Sequence, residues 1–313
     1  MLLEAGANAR AATKDGRTAL HSVDASAACA RALLAAGADV NAKSMEGATP
    51  LHVSCGDPAV LRLLLSAGAL LTEKDDGSSV LHSLLDYNLP CHGLTSVRML
   101  LAAGASAEAV DHDGTTVLHR ASRHASAAVV RLLLGAGASV GATDRKGRSA
   151  LHFAIDGFRR RWDVVETLIK AGADVAAKDI DGRTALLGTP GYNFEPSGVR
   201  ALLASGADAG VKAVDGTTAL HAAAGGWSCA AVQVLLAAGA DVNAEAKNGM
   251  TALHEASRSG QGATVRLLLS VGAGVCARTK FGGTALHEAG RSASFCSGCA
   301  GTDPGRGRRH GQE

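Results

Sequence analysis

The side chains best suited to chemistry in this sequence are its histidines, and they recur at regular intervals. His21, His52, His82, His119, His152, His221, His254 and His287 close the strings Thr18–His21, Thr49–His52, Ser79–His82, Thr116–His119, Ser149–His152, Thr218–His221, Thr251–His254 and Thr284–His287. Imidazoles can ligate a metal or move protons. Metal ligands must converge to about 2 Å from one ion. One histidine per repeat instead puts successive rings a layer apart, about 10 Å at ordinary helix packing distances. The spacing favours a structural role for the series. Cys296 and Cys299 form a Cys-x-x-Cys pair, yet neither a second pair nor a histidine at zinc spacing accompanies it, so solvated tail thiols are expected. Cys29, Cys55, Cys229 and Cys276 lie in or beside helical segments and read as small apolar fillers. No Gly-x-Ser-x-Gly, phosphate loop, His-Glu-x-x-His or dinucleotide glycine fingerprint stands in a credible setting. The expectation is a chain that is not an enzyme, with no catalytic residue, cofactor, metal or small-molecule substrate.

A second string runs in register with the histidines. Leu-Leu-x-x-Gly-Ala occurs at Leu33–Ala38, Leu64–Ala69, Leu100–Ala105, Leu133–Ala138, Leu202–Ala207, Leu235–Ala240 and Leu268–Ala273, and Leu168–Ala173 carries Ile169 at its second place. With Leu187 standing in for a missing histidine, the steps from His21 to His287 are 31, 30, 37, 33, 35, 34, 33 and 33 residues. Two markers sharing one period define a repeat. Asp-Gly pairs such as Asp15-Gly16 and Asp215-Gly216 are turn chemistry. The following Thr suits a helix N-cap, Leu-His-x-Ala opens a first helix with a small face, and runs such as Val129–Leu134 form a second, apolar one. Gly137 and its equivalents suit the residue that ends that helix. One repeat is therefore helix, tight turn, helix, extended hairpin loop.

Asp-Gly-x-Thr-Ala-Leu-His-x-Ala followed by Leu-Leu-x-x-Gly-Ala-Asp-Val-Asn-Ala resembles the ankyrin repeat. The resemblance runs from Met1 to about Gly290, although only Pro50 keeps the proline of the family's Thr-Pro-Leu-His pattern. It implies an all-α solenoid of stacked helix-turn-helix units with hairpin loops, and histidines that tie each helix start to the neighbouring loop. It also implies protein–protein binding as scaffold or adaptor, and marks Asn41 and Asn243 as positions that asparaginyl hydroxylases modify in the family. The alternative reading is a regulatory arm of a larger enzyme, a kinase or ubiquitin ligase component, whose catalytic domain lies elsewhere. The expected organisation is an array over 1–290, comprising a half repeat 1–12, about eight full repeats and a partial repeat 281–290. A disordered basic Gly/Ser/Arg-rich tail over 291–313 follows. An array opening and closing in mid-repeat suggests a piece of a longer protein, since solenoids need polar caps.

Composition narrows the class further. Aromatic content of 3% suits thin layers of Ala and Leu better than one large core. The formal net charge of +2 argues against a polyanion binder, and with few aromatics it argues against nucleic acid. No apolar run approaches the length of a membrane span, and the scattered cysteines suit a reducing setting, so the expected location is intracellular, in cytoplasm or nucleus. Extra length falls at Asp86–Ser96, Asp156–Asp163 and Gly188–Gly198. The last of these, with Pro190, Gly191, Pro196 and no histidine, marks the repeat around Leu187 as the expected weakest layer.

Residues at the turn tips and first-helix ends differ from copy to copy and are free of packing duties. Arg123, His124, Arg145, Lys146, Arg148, Ile180, Arg183, Val214, Lys247, Asn248, Met250 and Arg258 form the candidate partner-binding set. Its middle is basic, with Arg120 beside it and Arg159–Arg161 nearby in sequence, so an acidic protein segment is the expected ligand and charge reversal at Arg145, Lys146 and Arg148 should slow association.

Overall fold

The computed structural model describes residues 2–3, 5–22, 26–54, 56–86, 93–156, 162–188, 196–226 and 228–291. The chain forms two compact units, Met1–Ile180 and Asp181–Glu313. The first contains a 3-10 turn at Ala19–Ser22, then α1 Ala27–Ala35, α2 Pro50–Ser54, α3 Pro58–Ser66, α4 Val80–Asp86, α5 Gly93–Ala102, α6 Val117–His124, α7 Ala127–Gly135, α8 Ala150–Asp156 and α9 Trp162–Lys170. The second contains α10 Pro196–Ala204, α11 Ala219–Gly225, α12 Cys229–Ala237, α13 Ala252–Arg258, α14 Gly262–Ser270 and α15 Ala285–Arg291.

Helices of this length are marginal alone in water, so neighbours must stabilise them. In the first unit the inner helices stack in chain order, α2 on α4 on α6 on α8, while the outer helices α1, α3, α5, α7 and α9 make a second row. In the second unit α11, α13 and α15 form the inner row and α10, α12 and α14 the outer one. Leu51, Leu81, Leu118 and Leu151 of the inner helices are fully buried, as are Leu61, Leu64, Leu100, Leu133 and Leu168 of the outer ones. Burying a leucine side chain is worth about 1.5–3 kcal/mol. Ala121, Ala154, Ala223 and Ala256 are equally buried, and their small size lets successive inner helices approach closely.

Two first helices fall short of their expected form. Thr18–His21 closes only a 3-10 turn. Thr184–Leu187 makes only a turn, with Leu187 N–H donating to the Thr184 carbonyl at 3.0 Å and Gly188 N–H to Ala185 at 3.2 Å. The rest of the segment expected to be weakest, 189–195, lies outside the described residues, as do the insertions 87–92 and 157–161 and the tail 292–313. The filler reading of the cysteines is corrected as well. Cys29 and Cys276 are exposed and Cys229 is partly so, whereas Cys55 lies outside the described residues. Cys29 and Cys229 sit in alanine-rich helices whose buried side is poorly marked in the sequence, and Cys276 lies in a turn beyond α14.

Candidate partner-binding surface

Among the described residues each inner helix is held at its start by a threonine or serine and a histidine acting together. In α6 the Thr116 hydroxyl accepts from His119 N–H at 3.2 Å, and the Thr116 N–H donates to His119 Nδ1 at 3.0 Å. This is a reciprocal cap with histidine in the place usually taken by Glu or Gln. The same Thr N–H to imidazole bond recurs at His21, His52, His221 and His254, at 3.0–3.2 Å. The far ring nitrogen then reaches the next repeat's loop. Nε2 of His21 donates to the Ala48 carbonyl at 3.0 Å, that of His82 to Thr115 at 3.0 Å, that of His119 to Ala142 at 3.1 Å and that of His221 to Met250 at 3.0 Å. In these four rings Nδ1 accepts and Nε2 donates, which fixes the nitrogen that carries the proton. Burial lowers the pKa of His82, His119 and His221, and lowers that of His52, beside Lys74, to about 4. Among the described residues no three His, Cys, Asp or Glu side chains form a metal-sized group.

Leu187 supplies an internal control for this device. With leucine in the histidine's place, the Thr184 hydroxyl is buried and has no hydrogen-bond partner among the described residues. A buried unpaired hydroxyl costs about 1–3 kcal/mol. Thr184→Val should therefore leave stability unchanged or raise it by up to about 1 kcal/mol, whereas Thr116→Val should cost about 1–2 kcal/mol. Urea unfolding of the two variants would check this, and equal losses in both would sink it.

The turn tips are joined by main-chain atoms. In the first unit the N–H of Met45 donates to the Asp15 carbonyl, Asp75 to Glu46, His112 to Asp76, Arg145 to Asp113 and Ile180 to Lys146, at 2.8–3.2 Å. In the second unit Val214 donates to Asp181 at 2.7 Å, Lys247 to Asp215 at 2.8 Å and Lys280 to Asn248 at 2.8 Å. This ladder, one bond per repeat, holds neighbouring tips in register and leaves their side chains outward. Arg145, Lys146, Ile180, Val214, Lys247, Asn248 and Arg258 are exposed, while Arg123, His124, Arg148, Arg183 and Met250 are half-buried.

The basic character of the middle tips is reduced by internal pairing. Arg120 bonds Asp86 and, at 2.8 Å, the buried Asp111. Arg148 bonds the buried Asp144 at 2.7 Å, with its guanidinium 4.4 Å from the Phe153 ring centre. Arg183 lies 3.7 Å from Asp215, and Arg258 pairs with Glu255 on its own helix. Arg145 and Lys146 have no carboxylate partner among the described residues, but exposed Asp75, Asp76 and Asp113 occupy the preceding tips. Within the first unit, the exposed cations of the expected central set that have no carboxylate partner among the described residues are thus Arg145 and Lys146, on one tip, while Arg123 is half-buried. Asn41 and Asn243 act between loops. Asn41 donates to the Gly68 carbonyl at 3.2 Å and accepts from Leu70 N–H at 2.8 Å, and Asn243 does the same with Gly272 and Gly274, at 3.3 and 2.8 Å.

No helix among the described residues is long and apolar enough to cross a membrane. The sequence matches no curated protein. A family model described as "Ankyrin repeats (3 copies)" matches residues 1–75, 89–179, 191–279 and 228–296. Those matches span nearly the whole chain, and the paired helices, histidine-capped starts and bonded turn tips are what such repeats require, so the chain belongs to the ankyrin repeat family.

Proposed function

We propose that this chain is a non-catalytic scaffold or adaptor that grips a partner protein with its turn tips and inner-helix ends. Ankyrin repeats are generally protein–protein interaction modules. The observation that carries the reading here is the division of labour within each repeat. Main-chain bonds and buried Thr–His pairs fix the frame, while the outward tip residues change from Met45 to His112, Arg145, Ile180, Val214 and Lys247. A rigid frame lowers the ordering cost of association, and varied outward side chains supply selectivity.

The candidate set narrows accordingly. Arg148 bonds Asp144 of its own turn and Arg183 lies beside Asp215 of the next, so Arg145 and Lys146 are the exposed tip cations of the first unit's central set that a partner's acidic segment would meet. Arg145→Glu/Lys146→Glu should remove particular proteins from those captured by the chain from a cell lysate and identified by mass spectrometry. Reversing Arg62 and Arg131, exposed on the outer helices α3 and α7, should leave the captured set intact. Identical losses from both double variants would overturn the assignment to the tips. Failure of the unaltered chain to capture anything selectively would overturn the binding role itself.

A further inference from the structure

The tips of the second unit differ in chemistry from those of the first. Val214, Lys247, Lys280 and Phe281 are consecutive along the ladder, since Lys247 N–H bonds the Asp215 carbonyl and Lys280 N–H bonds Asn248. Val214 is 58% exposed and Phe281 is 96% exposed. Phe281 stands where the other tips carry Asp, Glu, Lys or Asn, so turn chemistry does not call for an aromatic there. The carboxylate in this row, Asp215, is occupied. Its side chain accepts from the Thr217 hydroxyl and N–H, and Arg183 lies beside it. Lys247 and Lys280 have no carboxylate partner among the described residues. Two free ammonium groups, one fully exposed aromatic ring and one exposed valine are therefore held on a single bonded row.

We propose that this row is a docking strip for an extended acidic segment of a partner protein, with a bulky apolar side chain seated against Phe281. The proposal rests on the protein-binding reading and adds the ligand's chemistry and register. Neighbouring layers of a helical stack lie about 10 Å apart. An extended polyproline-type peptide advances about 3.1 Å per residue and returns to the same face every third residue, or about 9.3 Å. Carboxylates spaced by three residues would face Lys247 and Lys280 in turn, and the intervening residues could reach the ring. Aromatic anchors dominate the energetics of such contacts, whereas exposed charges mainly set selectivity and approach rate.

The probe is a fluorescein-labelled peptide of three Glu-Leu-Ser units, titrated with the full chain and followed by fluorescence anisotropy. A Lys-Leu-Ser peptide and phosphatidylserine vesicles serve as the comparison arms. The acidic peptide should bind, more weakly as salt rises, and the basic peptide and vesicles should not. Lys247→Glu/Lys280→Glu should weaken binding about tenfold and Phe281→Ser about fivefold, while Arg62→Glu/Arg131→Glu stays within twofold of the unaltered chain. These side chains are exposed, and a circular dichroism spectrum would verify that the variants fold. Absence of acidic-peptide binding, equal binding of the basic peptide, vesicle binding in its place, or insensitivity to the strip variants would each overturn the proposal. Lysate capture that persists alongside any of those results would leave the binding role standing and remove only this strip.

Discussion

Acidification from about pH 7 to about pH 4.5 should lower the urea midpoint of this protein steadily, well before its carboxylates titrate. The cause is the set of buried imidazoles. An unfolded histidine titrates near 6.5, whereas burial holds His82, His119 and His221 below that value and takes His52 to about 4. The unfolded state therefore binds more protons as pH falls through 6.5. The contribution is complete above that pH and is lost between 6.5 and the folded value. For His52 alone the loss is at most about 3–4 kcal/mol, at 1.36 kcal/mol per pKa unit. The geometry gives the same sign, because a proton on Nδ1 would face the Thr N–H that now donates to it. Carboxylates act in a separate, lower window. Burial alone would raise Asp111, but Arg120 and the Thr115 N–H hold it below the ordinary range, so its share is present above about pH 4 and vanishes below. A midpoint that stays flat down to about pH 5 and falls only under pH 4 would remove the imidazoles from the account.

A single methyl group at a turn tip should be equally damaging. Gly216 has φ +80°, and a Cβ there would lie 2.8 Å from the Lys247 nitrogen and 3.1 Å from two Ala246 backbone atoms. The obstacle is the next repeat's main chain, which cannot swing aside as a side chain would. Gly216→Ala should cost about 3 kcal/mol or more, combining about 1–2 kcal/mol of left-handed backbone strain with the displacement of a packed neighbour. Gly239 ends α12 with φ +86° and has nothing within 4 Å of its Cβ direction, so Gly239→Ala isolates the strain at about 1–2 kcal/mol. Hydrogen exchange at Lys247 should accelerate in the first variant and hold steady in the second. Equal destabilisation of the two would mean that the tip contact adds nothing.

Much of the frame was legible because its signals are local. Asp-Gly turns, Thr caps and Leu-Leu-x-x-Gly endings act within a few residues. The internal pairing of the basic side chains was not legible, for the opposite reason. Arg120 is matched by Asp86, on the preceding inner helix, and by Asp111, nine positions earlier, and those partnerships depend on how one layer sits against the next. Reading charges along the chain counted Arg120, Arg148 and Arg183 as available when the fold employs them. The tip ladder left no trace in residue types, since every bond in it joins backbone atoms.

That last property bears on how such a surface can change over generations. A fastening that recruits no side chain places almost no restriction on which one stands at Met45, Asp75, His112, Arg145, Ile180, Val214, Lys247 or Lys280. Only proline, which lacks the N–H, would undo the clasp. Selection can rewrite what these fingers touch one codon at a time, and the scaffold beneath need not be renegotiated with each revision.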